Sequence, residues 1–138
     1  MTIEFKIPLN NSKNIINTIS YNYMKVTKCI PNSKISKIDD NKYIISGIYS
    51  YGLVSFSYTA EILVKKENND NNVIIYIDIL SDSKFLAKLI INTRVENEYA
   101  NVTLEYKGFG MLGKVIEKLI NKKLEILVKC ILSTTINE

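Results

Sequence analysis

Lys123 stands in the middle of the most regular apolar pattern in the chain. At about 100° per residue, Ile116, Leu119, Ile120, Leu127 and Cys130 flank it on one helical arc. An unpaired ammonium is costly to bury, so the amine must reach water along its alkyl stem, pair with a carboxylate, or lose its proton. Two readings follow. Either the arc ends near water and the amine escapes there, or the ammonium guards the mouth of an apolar cavity and meets the carboxylate of a bound amphiphile. Tyr58 and Tyr106 are further polar groups on otherwise apolar faces. A buried hydroxyl needs a partner, which is either a nearby backbone carbonyl or the headgroup of a ligand.

Other chemistry is excluded or weak. The sequence has 0 histidines, which removes the usual triads, imidazole acid-base catalysis and most zinc or haem sites. No catalytic residue, cofactor or metal ligand is therefore assigned. Cys29 and Cys130 are far apart and form no CxxC motif; buried thiols are the default reading, and a single disulfide is the lesser alternative. Asp39 and Asp40 read as turn residues bonding their own backbone, and Glu67 and Asp70 are too few for calcium. The GFGMLG run at 108–113 lacks the GK[ST] tail of a phosphate loop and reads instead as a glycine hinge at the start of a helix.

The net charge of +4 comes from lysines interleaved with acids, and Arg94 is the only arginine. Nucleic-acid binding, which calls for a basic stripe with arginine forks or stacking aromatics, is not expected. Arg94 and Glu96 read as a solvated pair. With 138 residues, 46% of them hydrophobic, the chain supports one domain, 1–138, and one core. Its longest apolar run, Val73 to Ile77, is far short of the roughly 20 residues that span a bilayer. The opening MTIEFKIPL alternates like a strand and lacks the order of a signal peptide, so a cytoplasmic location is expected.

The elements that must position these groups are legible from periodicity. Thr2 to Leu9 alternates as a strand that Pro8 confines to an edge or an end. Two short helices are expected next, jointed near Ser20 to Asn22 and stopped by Pro31. From there the period is two: Lys34 to Ile38, Lys42 to Tyr51, Leu53 to Lys66, Val73 to Leu80, Lys84 to Glu96 and Tyr99 to Lys107 form an antiparallel meander. One face collects Phe56, Tyr58, Ile75, Ile77, Phe85, Leu89, Ile91, Leu104 and Tyr106. The other carries Glu61, Lys65, Asp78, Lys88, Arg94, Glu96 and Glu105. From Gly110 to about Ile136 runs one long amphipathic helix, which must cover the apolar face. The expected class is α+β: a curved seven-stranded antiparallel sheet on a C-terminal helix, with an apolar gap where twist lifts sheet from helix.

That order resembles the helix-grip proteins of the START and birch-pollen-allergen superfamily. Two stretches look most like the branch that holds the G subunit of carbon monoxide dehydrogenase: CIPNSKISKIDDNKYIISG at Cys29 to Gly47, and YKGFGMLGKVIEKLINKKL at Tyr106 to Leu124. The first is similar to that branch's cysteine-isoleucine/leucine-proline-glycine corner, with Asn32 in place of the glycine; asparagine is the next-best residue at positive φ. The second is similar to its glycine-rich start of the last helix. A β-clam of the fatty-acid-binding type shares the length but has no long C-terminal helix.

The resemblance implies an apolar cavity between sheet and helix. Small archaeal proteins of similar layout imply the ligand class, a long-chain fatty acid, and hence a non-enzymatic carrier. Its lining would be Phe56, Ile75, Ile77, Phe85, Leu89, Ile91 and Leu104 from the sheet and Ile116, Leu119, Ile120 and Leu127 from the helix, with Tyr58, Tyr106 and Lys123 as polar contacts. Two alternatives stay open: a cyclase- or aromatase-like enzyme, and an accessory module that docks transiently on a protein partner or a membrane.

Overall fold

A computed structural model describes residues 2–8, 29–30, 32–66, 72–96, 99–118, 121–123 and 126. Seven strands follow in chain order: β1 (Thr2–Pro8), β2 (Ser33–Asp39), β3 (Lys42–Tyr51), β4 (Val54–Lys66), β5 (Asn72–Ser81), β6 (Lys84–Glu96) and β7 (Tyr99–Gly108). They form one antiparallel sheet in the order β1-β7-β6-β5-β4-β3-β2, so the meander from β2 to β7 is closed on its far side by the first strand. Residues 110–118, 121–123 and 126 are helical and constitute α1. The two short helices expected after β1 lie outside the described residues, as do Leu119, Ile120, Leu127 and Cys130.

Alternation decides which face is buried. Register partners Ile62, Ile77, Leu89 and Tyr106 run across β4 to β7 on one face, and Val64, Ile75, Ile91, Leu104 and Ile3 run across β4 to β1 beside them. Ala87, Leu89, Leu104 and Tyr106 form a buried cluster against which Ile116 of α1 packs, so the helix lies on this inner face. A second cluster, Tyr43, Val64 and Val73, holds the β3–β5 side. Burying a side chain such as Leu104, which has no accessible surface, contributes about 2 kcal/mol from apolar transfer alone.

The outer face is less uniformly polar than the charge pattern suggests. The row Glu61, Asp78, Lys88, Lys107 is charged, but the next row places Leu63, Tyr76 and Ile90 on adjacent strands. Arg94 and Glu96 form an exposed pair at 3.5 Å, as expected of a solvated contact.

A bulge between Ile79 and Leu80 corrects one expectation. Ile79 pairs with Ala87 and Leu80 with Phe85, so β6 carries an extra residue, Leu86, and its alternation reverses there. Leu86 is buried. Phe85 turns to the outer face, 48% exposed, with the Lys88 ammonium 4.9 Å from its ring centroid. Phe85 therefore does not line the inner face.

The corner before β2 takes the geometry its sequence requires. Asn32 has φ 57° and its carbonyl accepts from the Ile48 amide at 3.3 Å. The Ser33 hydroxyl bonds the Ile30 carbonyl at 2.6 Å. Cys29 is disulfide-bonded, which corrects the default expectation of a buried thiol there. In the β2–β3 turn the Asp40 amide donates to the Asp39 carboxylate at 2.8 Å, which is turn chemistry rather than an acid-base pair.

Candidate functional site: the inner face and the start of the helix

The two tyrosines nominated from the sequence are used differently. Tyr106, on β7, is buried at 5% exposure, and its hydroxyl donates a hydrogen bond to the carbonyl of Gly113 in the first turns of α1. Burial, and secondarily the carboxylate of Glu117 one helical turn further on, push its pKa up to about 12. A phenol so placed stays neutral and engaged at physiological pH. It fastens the helix to the sheet.

Tyr58, on β4, pairs in register with Gly47 on β3. Its ring lies back across that glycine: a Cβ at Gly47 would sit 2.7 Å from the Tyr58 hydroxyl and 2.8 Å from the Asn32 carbonyl oxygen. The missing side chain at 47 is what admits the ring. Tyr58 is half-buried, burial raises its pKa, and among the described residues its hydroxyl has no hydrogen-bond partner. It is an inner-face donor with capacity to spare. The sequence signal for this contact is a lone glycine inside a strand, opposite an aromatic residue.

The glycine run after β7 serves close approach rather than looseness. A Cβ on Gly113 would meet the Gly108 carbonyl carbon and the Leu86 carbonyl oxygen at 2.8 Å, both backbone atoms that cannot yield. The Phe109 amide donates to the Leu86 carbonyl at 2.8 Å, and the Gly113 amide to the Phe109 carbonyl at 3.2 Å. Gly110, with φ 69°, turns the chain from strand into helix. The expected hinge is a seam joining β6, β7 and α1.

Of the remaining nominated residues, Leu89 and Leu104 are buried, and Ile77, Ile91 and Ile116 pack around them in one cluster. Ile75 belongs to the neighbouring cluster. Phe56 is half-buried with its ring 5.7 Å from Tyr49, its register partner. Lys123 is helical and exposed, so its amine reaches water. The helical pattern marks its apolar neighbours but does not say where the helix leaves the sheet. Glu117, which touches Tyr106 electrostatically, carries no sequence signal.

Gradation of burial along the inner face is the feature with chemical content. β5 is the middle strand of the seven, yet Ile75, Ile77 and Ile79 on it remain only half-buried, as does Ile91 beside them. Leu104 and Ala87, closer to the seam, have no accessible surface. Among the described residues no group of metal-ligating side chains occurs, and no helix is long and apolar enough to cross a membrane.

The family model for the G subunit of carbon monoxide dehydrogenase (CoxG) matches residues 6–138. The chain belongs to the CoxG family. No curated protein matches it. Solved structures that share the fold include the Zhui aromatase/cyclase from Streptomyces sp. R1128, with TM-score 0.62, 7% identity and coverage of 98% of this chain and 93% of that one. A truncated norcoclaurine synthase from Thalictrum flavum superposes with TM-score 0.59 and 11% identity, covering 100% and 94%. Ara h 8.0201 gives 0.60 and 11%, covering 100% and 99%. This CoxG-family chain thus has the helix-grip fold of the START and birch-pollen-allergen superfamily, and at such identities the likeness is one of architecture.

Proposed function

We propose that the protein binds a long-chain amphiphile, a fatty acid, between the inner face of its sheet and α1, and carries it without chemical change. The observation that supports this is the half-buried apolar surface of Ile75, Ile77, Ile79 and Ile91 at the centre of a sheet face that a helix already covers. Apolar surface left accessible in that position gains free energy when an alkyl chain covers it. The helix-grip architecture is compatible with such an arrangement.

Tyr58 is the headgroup contact in this reading, since it places a half-buried hydroxyl on the inner face. Lys123, exposed on the helix, would meet a carboxylate that emerges into water. A cyclase-type reaction has less support: Tyr106 is held by Gly113 and titrates near 12, far from the range of a useful acid or base. The family name favours a second reading, an accessory module that docks on a partner.

Native mass spectrometry of protein purified without detergent tests the carrier. The expected result is a mass increment that extraction identifies as fatty acid. Apo protein that also fails to take up added fatty acid would overturn the proposal.

A further inference from the structure

We propose that two copies of this chain pack outer face to outer face, about a two-fold axis that runs parallel to the strands between β5 and β6. The order of charge along one row of the sheet carries the argument. Glu61, Asp78, Lys88 and Lys107 are register neighbours on β4, β5, β6 and β7, so two carboxylates stand side by side and two ammonium groups stand side by side next to them. Like charges directly opposite on adjacent strands destabilise a sheet, and this row holds two such pairs. Alternating signs would have avoided both. Among the described residues the four form no ion pair with one another. They lie on the face opposite the one on which Ile116 of α1 packs.

A half-turn about that axis lays β4 over β7 and β5 over β6 at unchanged height along the strands. Glu61 then meets Lys107 of the second copy and Asp78 meets its Lys88, and the two reciprocal pairs complete four contacts of opposite sign. The rows on either side are self-complementary in the same sense. Tyr76 and Ile90 are register partners on β5 and β6, as are Leu80 and Phe85, so each couple lies over its own inverted copy and buries apolar surface. Ile90, 36% exposed, and Phe85 have that surface to give. The bulge that turns Phe85 outward completes the second apolar row. Leu63 faces Glu105 of the second copy, and Lys42, the register partner of Leu63, stands beside it to meet that carboxylate. Sheets packed face to face lie within about 30° of parallel, so the register holds best at the centre, where Asp78 and Lys88 stand. The outer face is independent of what the inner face holds.

Sedimentation equilibrium of the full chain tests this. An equilibrium between monomer and dimer is expected, strongest at low salt and weakened as salt screens the four charge contacts. Lys88→Glu should weaken dimerisation about a hundredfold or more, because the substitution acts twice across the axis and sets like charges against each other. Ile90→Asp should weaken it about tenfold or more. Both residues are exposed, so circular dichroism should report a native fold in their variants. A mixing experiment tests the register itself: Lys88→Glu with Lys107→Glu makes the row wholly acidic, and Glu61→Lys with Asp78→Lys makes it wholly basic. Each double variant should be monomeric alone, and an equimolar mixture should form a heterodimer. Wild-type protein that stays monomeric at low salt and millimolar concentration, as a face reserved for a different protein would give, overturns the proposal. So does a mixture of the folded double variants that stays monomeric. Should a double variant fail to fold, the single variants decide, and a dimer unchanged by both Lys88→Glu and Ile90→Asp overturns it equally.

Discussion

The hydroxyl of Tyr106 on the last strand donates to the carbonyl of Gly113 on the helix, and that bond closes the seam on which the helix-grip arrangement rests. Phe109 and Leu86 reinforce it with a backbone bond at 2.8 Å. Tyr106→Phe leaves the Gly113 carbonyl short of a donor in a buried place, and should cost about 1–3 kcal/mol in chemical denaturation. An unchanged midpoint would show that the bond is replaceable.

Alkaline pH should weaken the same seam. The Tyr106 pKa is raised from 10.0 to about 12 in the folded protein, so its contribution is complete below pH 10 and fades as pH rises through about 12, because the unfolded chain loses that proton first. Denaturation curves between pH 9 and 12 should show a decline in wild type that is shallower in Tyr106→Phe. Parallel declines would place the titration elsewhere.

Gly113→Ala replaces a poor helix former with the best one, a gain of about 1 kcal/mol on an exposed helix. Here the added Cβ would lie 2.8 Å from two backbone atoms, so the variant should be destabilised, by about 1–3 kcal/mol. Thermal unfolding measures the sign. A more stable variant would mean that the seam can open.

How much of this could be read from the sequence depends on the kind of regularity involved. Strands β3 and β6 begin and end where the alternation does, and the others lie within a residue or two of it, because period two is set by the pleat itself. The bulge leaves no comparable mark: the step from Ile79 to Leu80 is silent in a stretch that stays apolar on both sides, and uninterrupted alternation therefore puts Phe85 on the wrong face. Glycine in the run from 108 to 113 signals either freedom or close contact. Only the atoms around Gly113 decide for contact. Lys123 shows the limit of helical periodicity, which orders residues around an axis without saying how far along it the sheet extends.

The bulge itself is testable by stability. Leu86→Ala should cost about 2–4 kcal/mol, as for a buried leucine, while Phe85→Ala should cost under about 1 kcal/mol. The opposite ranking would return Phe85 to the core.

Tyr58→Phe should leave stability within about 0.5 kcal/mol of wild type, since its hydroxyl has no hydrogen-bond partner among the described residues. It should weaken a fatty acid more than the matching alkane in a fluorescence displacement assay. Equal losses would move the headgroup contact to another residue, Lys123 being the next to test.

Calorimetric titration with fatty acids of increasing length addresses the carrier itself. If an alkyl chain lies along Ile75, Ile77 and Ile91, each added methylene contributes about 0.8 kcal/mol and affinity rises about fourfold per carbon until the space is filled. An affinity that does not change with chain length, or no binding at any length, would contradict the account.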